Sequence, residues 1–459
     1  MNKIPVIAIY DVGKTNKKLL LFDEQYHIVY EQSTQLPEVS DEEGFPCEDV
    51  QALENWVKTS YETIITDQRY FVKAVNFSAY GASFIYLDKE QKRVLPLYNY
   101  LKPFPQSLQK DFFTTYGGES LLAKQTASPV LGNLNSGLQL YRLKQERPAD
   151  FEKIQVALHL PQYLSFLLCN KVHVEMTSIG CHTLLWNFQL GKYHSWVEEE
   201  GISRKFPAIA DSTNVFDSKD NKVEVGVGLH DSSAALIPYL SSFNEPFILL
   251  STGTWCISLN PFNQGVLSDY ELHQDCLCYL SYKGKPVKAS RLFAGYEHEQ
   301  QVKRLATHFN TDVDYYKTVA ADKKLIGKVR IGHSVRQHAS ETAMVGQSHF
   351  AERNLDSFNN YEEAYHQLIA DIMNQQFRST SIVLKGTVVK RIFVDGGFSQ
   401  NPIYMELLAA AFPEIEVYAA SMAQASALGA ALVIHHHWNK GPVPSDIISL
   451  QLYSPPGKI

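Results

Sequence analysis

Continuous apolar runs separated by short polar turns open the chain and predict strands. Val6–Tyr10 is apolar or aromatic throughout, DVGKTN (11–16) is a polar turn with a glycine, and apolar residues return over 17–23. Residues 27–36 continue with β-branched and aromatic side chains. Runs of this length, bounded by Gly and Asn, are typical of antiparallel strands. We therefore expect a β-meander at the start of the chain.

A second pattern, with apolar residues every three or four positions, predicts helices. Leu53, Trp56, Val57 and Tyr61 follow this period between residues 51 and 66. The same spacing of apolar residues predicts helices at 136–146, 160–169, 297–308, 361–377, 402–411 and 421–435. Runs rich in β-branched and aromatic residues predict further strands at 74–81 and 82–88, from about 223, on both sides of a glycine turn in 247–262, and at 391–397.

A loose internal repeat links the two halves of the chain. DVGKT (11–15) lies between two apolar runs, and STGTW (251–255) lies between two apolar runs 240 residues later. The repeat is short and degenerate, whereas strong repeat signals recur several times at a fixed period. It nevertheless favours two structurally similar halves, each opening with a β-hairpin.

Composition narrows the class of protein. The chain has 459 residues, 45% of them hydrophobic, and a formal charge of −7, which excludes wholesale disorder and argues against a nucleic-acid binder. No apolar stretch approaches the ~20 residues of a membrane span, and the run near the N-terminus is shorter than a secretory segment. Six cysteines scattered along a long chain favour reduced thiols. We expect a cytoplasmic protein with no membrane or nucleic-acid partner.

The Gly-Lys-Thr triplet at 13–15 invites a P-loop interpretation, which the surrounding residues oppose. The P-loop pattern requires a glycine where the chain has Ala8, and a helix where it has the strand-like run 17–23. GVGLHD (226–231) likewise departs from the dinucleotide-binding pattern after two glycines. Neither nucleotide-binding fold is predicted.

A tight hairpin can still bind phosphate, because successive N–H groups in a glycine turn form an anion-binding concavity. Two facing hairpins, at 11–16 and 251–255, would grip a triphosphate from both sides. Asp11 precedes the first turn and is placed to orient Mg²⁺ through water, since that cation prefers oxygen ligands and keeps part of its hydration shell. The alternative is that both segments are ordinary hairpin turns.

Five segments together resemble the FGGY family of carbohydrate kinases, in the actin–hexokinase superfamily. They occur in the family's order and cover nearly the whole chain. They are DVGKTNKKLLLFD (11–23) for the first phosphate hairpin, GLHDSSAA (228–235) for the catalytic aspartate, STGTW (251–255) for the second hairpin, FVDGGFSQNP (393–402) for the adenosine motif, and ASMAQASALGAAL (420–432) for the closing helix. GLHDSSAA and STGTW are most similar to the rhamnulokinase branch.

The resemblance implies an α/β fold of two actin/hexokinase-like (ribonuclease H-like) lobes, 1–243 and 244–459, with an active-site cleft between them. It implies ATP and Mg²⁺ as cofactors, with Asp11 as the magnesium ligand, and Asp231 as the base that deprotonates the acceptor hydroxyl. The implied nucleotide and phosphate contacts are Gly13, Lys14, Thr15, Asn16, Gly253, Thr254, Gly396, Gly397, Ser399, Gln400 and Asn401. The implied sugar contacts are Ser78, Tyr80, Gly81, Ser83 and His230.

Several positions depart from the family pattern. Lys14 and Asn16 replace hydroxyl residues, Asp395 replaces a glycine, and Gln424 replaces a glutamate to which we carry over no role. The sugar segment SAYGAS (78–83) lacks both carboxylates of the rhamnulokinase pattern, which leaves the sugar open.

Structural alternatives stay open at six of these residues. Asp231 is either the base or a helix N-cap, and both roles are compatible. Lys14 is either a phosphate ligand or a solvated turn lysine. Tyr80 and His230 either contact the sugar or belong to the core, and Asn401, like its neighbour Gln400, contacts the nucleotide or caps the helix at 402–411.

The predicted function is ATP-dependent phosphorylation of a small sugar by a monomer or homodimer. A deoxyketose such as L-rhamnulose or L-fuculose is the leading acceptor by resemblance, with a pentulose or polyol as alternatives. A non-catalytic sugar- or nucleotide-binding member of the superfamily, or a nucleotide hydrolase, are the competing functions, since fold does not imply function.

Overall fold

The computed structural model describes residues 3–328, 349–422 and 424–454. The chain divides into two compact units. The first comprises Met1–Ser242, Cys278–Pro286 and Ala423–Ile447, and the second comprises Phe243–Leu277, Val287–Met422 and Ile448–Ile459. The lobes predicted from the sequence, 1–243 and 244–459, are continuous segments and remain a proposal.

The first unit contains fifteen strands and eleven helices among its described residues. Its strands are β1 (Ile4–Val12), β2 (Lys17–Asp23), β3 (Ile28–Thr34), β4 (Glu38–Ser40), β5 (Pro46–Glu48), β6 (Tyr70–Ala79), β7 (Phe84–Leu87), β8 (Val156–His159), β9 (Val174–Glu175), β10 (Trp186–Asn187), β11 (Lys192–Tyr193), β12 (Ile209–Ala210), β13 (Val215–Asp217), β14 (Glu224–Gly226) and β15 (Leu229–His230). Its first nine helices are α1 (Val50–Thr66), α2 (Gln106–Thr115), α3 (Glu119–Thr126), α4 (Ser136–Glu146), α5 (Pro148–Lys153), α6 (Leu160–Cys169), α7 (Met176–Ile179), α8 (Ser195–Glu199) and α9 (Asp231–Ser242).

The second unit contributes the remaining strands and five more helices, except that the last three residues of β18 and the first residue of β19 belong to the first unit. The strands are β16 (Phe247–Thr252), β17 (Cys256–Asn260), β18 (Cys276–Leu280), β19 (Pro286–Leu292), β20 (Arg391–Gly396), β21 (Glu416–Ser421) and β22 (Ser449–Tyr453). The helices are α10 (Asp269–His273), α11 (Ala294–Phe309), α12 (Lys323–Lys328), α13 (Tyr361–Leu384) and α14 (Pro402–Ala411). The last two helices of the chain, α15 (Ala425–Val433) and α16 (His435–Trp438), belong to the first unit.

The main sheet of the first unit confirms the predicted meander. Its strand order is β13-β14-β6-β1-β2-β3, with β15 also paired to β6. β1 is antiparallel to β2 and parallel to β6. Residues 6–9 are fully buried, as expected for a parallel-type strand covered on both faces.

The second sheet repeats the same local plan. Its order is β18-β19-β17-β16-β20-β21-β22, in which β16 is antiparallel to β17 and parallel to β20. Its core packs α13 and α14 against one face of β16 and β20. A hairpin followed by a parallel neighbour therefore occurs in both units, as the short sequence repeat indicated.

Most predicted helices agree with the structure, and two helix starts are corrected. The final helix was predicted at 421–435, but Ser421 ends β21, α15 begins at Ala425, and residue 423 lies outside the described part of the chain. Asp231 is the first residue of α9 and not its N-cap. No helix in the described ranges is long and apolar enough to cross a membrane.

Candidate active site

The first Gly-Thr segment is a tight hairpin. Gly13 N–H donates to Asn16 C=O at 2.9 Å, and Val12 pairs with Lys17 across β1 and β2. A strand follows the Gly-Lys-Thr triplet where a P-loop would need a helix, because residues 17–23 satisfy their backbone groups in the sheet. The structure therefore rejects the P-loop alternative.

Carboxylates hold both lysines of this hairpin. The Lys14 ammonium lies 2.6 Å from Glu38 Oε1 and 3.9 Å from Glu48 Oε2. The buried Lys17 ammonium lies 2.6 Å from Glu48 Oε1 and donates to the Lys14 carbonyl at 3.0 Å. Contact between Lys14 and a phosphate thus requires its ammonium to leave Glu38.

Parallel strands bring the acidic candidates of the first unit to one sheet edge. Asp11 on β1 pairs in register with Ser78 on β6, and Ser78 pairs with Leu229 on β15, two residues before Asp231. The carboxyl ends of neighbouring parallel strands form the usual ligand-binding edge of an α/β sheet. The predicted Asp11, Ser78 and Asp231 therefore come together with the first hairpin.

Asp231 is a partly accessible carboxylate with a raised pKa. Its side chain is 35% exposed, and Oδ1 accepts the Ser232 N–H at 2.6 Å. Burial of the carboxyl raises its pKa to about 6, and the hydrogen bonds from Ser232 lower the pKa by less than burial raises it. A carboxylate that is ionised at neutral pH yet unusually basic is suited to accept a proton.

Asp11 lies in a similar environment. Its Oδ2 accepts the Ser426 hydroxyl at 2.9 Å, and α15, which carries Ser426, packs against β1 and α9. Burial, together with the nearby negative charge of Asp231, raises the pKa of Asp11 to about 6. The Ser78 hydroxyl lies close enough to lower that pKa, but among the described residues it has no partner with hydrogen-bond geometry.

His230 belongs to a buried cluster beside the candidate base. Its Nε2 lies 3.2 Å from Asp231 Oδ1 and 3.0 Å from Cys181 Sγ, which in turn lies 3.2 Å from His182 Nε2. Burial lowers the pKa of His230 to about 3, so the imidazole is neutral. A Cβ on Gly81 would lie 2.7 Å from Cys181 Sγ, so a glycine at this position leaves room for the cluster.

Two predicted sugar contacts are engaged in the core. Tyr80 is buried and its hydroxyl donates to Glu48 at 3.2 Å, and the Ser83 hydroxyl donates to the Tyr98 carbonyl at 3.2 Å. These bonds favour the core alternative for Tyr80. Tyr100 forms an edge contact with the Tyr80 ring.

The second hairpin of the sequence repeat joins β16 to β17 in the second unit. Gly253 N–H donates to the Trp255 carbonyl at 2.9 Å. The Thr252 hydroxyl donates to the Asp395 carbonyl at 2.6 Å and accepts the Phe398 N–H at 3.0 Å. Gly396 has φ +88°, and a Cβ there would lie 1.9 Å from the Thr252 carbonyl oxygen, so only glycine fits.

One cavity of about 710 Å³ collects most of the predicted nucleotide residues of this unit; we call it the hairpin cavity. Gly253, Thr254, Gly397, Gln400 and Asn401 line it. Gly396 and Ser399 are not among its lining residues, and the Ser399 hydroxyl donates to the Gly396 carbonyl.

Asn401 also caps a helix. Its Oδ1 accepts the N–H groups of Ile403 and Tyr404, each at 3.1 Å, at the start of α14. Its Nδ2 donates to the Tyr365 hydroxyl at 2.8 Å. The capping alternative is therefore correct for Asn401, while a face of the residue still lines the cavity.

Comparison with known families identifies the chain. A family model described as "FGGY family of carbohydrate kinases, N-terminal domain" matches residues 6–235, and "Carbohydrate kinase FGGY, C-terminal domain" matches 244–442. The chain belongs to the FGGY family of carbohydrate kinases. The resemblance drawn from the five motifs is confirmed.

Curated relatives of this FGGY chain include a rhamnulokinase from Oceanobacillus iheyensis, 23% identical over 42% of this chain. A probable L-xylulose kinase from Haemophilus influenzae is 27% identical over 40% of this chain. The matches span 42% and 38% of the length of these two relatives, respectively.

Solved structures confirm the two-lobed fold. A carbohydrate kinase from Novosphingobium aromaticivorans superposes with a TM-score of 0.80 at 21% identity, covering 99% of this chain and 95% of that one. This likeness shows that the chain shares the fold of that carbohydrate kinase.

Sequence reasoning missed several residues around the FGGY motifs. Ser426, which bonds Asp11, lies in the closing-helix motif, so that motif contained the signal. Cys181 and His182 had no recognisable pattern. Gly295 and His298, which line the hairpin cavity, lie at the start of α11, where only a helix was predicted.

The Lys14 assignment in this FGGY hairpin gives the first prediction. Replacing Glu38 by Gln is expected to tighten binding of a nonhydrolysable ATP analogue about threefold, since an exposed ion pair of about 0.2–1 kcal/mol no longer holds the ammonium. Titration calorimetry measures the affinity. In a Lys14→Met background the same change should have no effect, and unchanged affinity in the single variant would contradict a phosphate contact by Lys14.

Gly397 gives the second prediction. A Cβ at this position meets no atom within 4 Å and would enter the hairpin cavity. Gly397→Leu is expected to weaken ADP binding about tenfold, or about 1.4 kcal/mol, by occupying ligand space. A Cβ on Gly327, on α12, likewise meets no atom of the described residues within 4 Å, so Gly327→Leu is the matched control and should bind ADP normally. Normal ADP affinity in both variants would show that the nucleotide lies elsewhere.

Proposed function

We propose that this chain transfers the γ-phosphate of ATP to a hydroxyl of a small ketose, with L-rhamnulose and L-fuculose as the leading acceptors. The observation that carries the proposal is Asp231, a partly exposed carboxylate with a pKa raised to about 6 at the sheet edge that also holds the first hairpin. Phosphoryl transfer needs alignment, charge neutralisation and a base for the attacking hydroxyl.

Asp231 is the proposed base. As the sugar oxygen attacks phosphorus, its proton passes to a carboxylate oxygen of Asp231. His230 Nε2, 3.2 Å away and neutral, orients that carboxylate, as does the Ser232 N–H. Ser78 and Gly81 are the proposed sugar contacts. Tyr80 and Ser83, whose hydroxyls bond Glu48 and the Tyr98 carbonyl, are proposed to hold this segment in place beside the sugar.

The residues fit a magnesium nucleotide. In the hairpin cavity, Gly253, Thr254, Gly397, Gln400 and Asn401 would hold ATP. Lys14, Thr15 and Asn16 would donate to its phosphates from the turn that Gly13 closes through its bond to the Asn16 carbonyl. Asp11 and Asp231 raise the local negative charge, which a cation relieves. Asp11 would hold Mg²⁺ through water, and the ion would neutralise charge on the phosphate oxygens.

A coupled ADP-release screen tests the function. Ketoses, pentuloses, polyols and free aldoses are supplied with ATP and Mg²⁺ at neutral pH. Turnover that depends strictly on one ketose supports the proposal, and a pentulose preference assigns the chain to the alternative named by its L-xylulose kinase relative. ATP hydrolysis that no sugar stimulates would support a hydrolase, and sugar or nucleotide binding without turnover would support a non-catalytic role.

We place this reaction in the cytoplasm, in a monomer or homodimer. The reduced, buried state of the six cysteines supports a reducing compartment.

A further inference from the structure

A second large cavity lies in the second unit, and we call it the basic cavity. It measures about 670 Å³, within the usual range of small-molecule sites. Its walls come from the loop 262–266 after β17, from α10, from Lys288 on β19 and from the last turns of α13. None of its lining residues also lines the hairpin cavity.

The two cavities lie at opposite ends of the same elements. The hairpin of β16 and β17 borders the hairpin cavity, whereas the loop 262–266 follows the far end of β17, about 16 Å along a five-residue strand. On α13, Tyr365 contacts Asn401 of the hairpin cavity, and Arg378 lies thirteen residues later, about 20 Å along the helix. The basic cavity is therefore a separate site.

Its positive charge is only partly compensated. The buried Lys288 pairs with Glu271 at 2.7 Å, and the capping box with Ser268 fixes that carboxylate. Arg378 is partly buried, and within the described ranges it forms no hydrogen bond or ion pair. Lys385 adds an exposed cation at the wall. On a chain of net charge −7, this local excess favours an anion.

The rest of the wall is apolar and aromatic. Val266 and Tyr270 are 61% and 45% exposed, and Phe377 and Ile382 lie beside Arg378 on α13. Exposed apolar side chains around a cavity favour a ligand with an apolar body. A guanidinium with free N–H groups favours a carboxylate or phosphate that can accept two hydrogen bonds.

We infer that the basic cavity binds a small organic anion, whose carboxylate or phosphate contacts Arg378 and whose aromatic or aliphatic body packs on Tyr270 and Val266. This site is independent of the proposed sugar kinase reaction. It offers the chain a second ligand distinct from ATP and sugar.

Calorimetric titration of the full chain with phenyl phosphate tests the inference, with ADP and Mg²⁺ present at saturation to fill the nucleotide site. Saturable binding is expected, about tenfold tighter than that of inorganic phosphate, because the ring adds apolar contact. Arg378→Gln is expected to weaken it at least about tenfold, whereas Arg391→Gln, an arginine of the same unit held by Glu245 and Glu416, should leave it unchanged.

If no saturable binding is seen at up to about 10 mM phenyl phosphate, the dissociation constant is too weak for a formed site, and the inference is overturned. Equal affinity in Arg378→Gln and the unsubstituted chain would also overturn it. Should Arg378→Gln fail to fold, Lys385→Glu replaces it, because Lys385 is exposed. Lys385→Glu is likewise expected to weaken binding of phenyl phosphate at least about tenfold, and unchanged affinity in this variant would overturn the inference.

Discussion

Replacing Asp231 by asparagine is expected to lower kcat about 10²–10⁴-fold while the chain stays folded, the range that general-base catalysis contributes. The side-chain shape and the oxygen that accepts the Ser232 N–H are retained, but the amide cannot take the acceptor proton. Because the base acts in the transition state, KM for the ketose should change little. Steady-state kinetics with the best ketose from the screen measure both constants.

The matched control is Asp217→Asn. Asp217 is an exposed aspartate of the same unit, on β13, and its replacement should leave kcat unchanged. Circular dichroism melting curves of both variants report whether the fold is retained. Normal kcat in folded Asp231→Asn would show that another group accepts the proton and would remove the basis of the proposed mechanism.

Activity is expected to fall steeply on the acid side of neutrality. The pKa of Asp231 is raised to about 6, and a carboxyl must be ionised to act as a base. The value of kcat/KM should therefore be constant above about pH 7 and about thirtyfold lower at pH 4.5, since each unit below the pKa removes about nine-tenths of the ionised form. The pKa of Asp11 is also raised to about 6, and Asp11 interacts with Asp231. The pH profile therefore gives apparent pKa values of the two carboxyls together.

Acid unfolding can be separated from this loss of rate. The folded pKa of both carboxyls lies above the ordinary value of 3.8, so the folded chain binds these protons more readily than the unfolded chain. Their contribution to the free energy of unfolding therefore increases as pH falls from about 6 toward 4. A thermal melt at pH 5 should show a folded chain with low activity. A flat rate profile between pH 5 and 8 would contradict the raised pKa of the base.

Much of the fold followed from local patterns. Apolar runs and 3.6-residue periods placed β1, β2, α4, α6 and α14 within a residue or two of their observed limits. These patterns succeed because backbone hydrogen bonding and the burial of one face are decided over a few residues. The start of α15 was misplaced, because the Ala-rich stretch continues into the end of β21 without a change in composition.

The sequence by itself determined which segments carry the chemistry: two glycine hairpins, Asp231 before a Ser/Ala helix, and a glycine-rich adenosine motif in the FGGY order. Only the tertiary structure decided which side chains meet. Strand register sets Asp11 beside Ser78, α15 returns Ser426 to Asp11 across 415 positions, and Glu38 captures Lys14. The physical reason is that such contacts depend on strand order and chain crossovers, which a periodicity extending over a few residues does not encode.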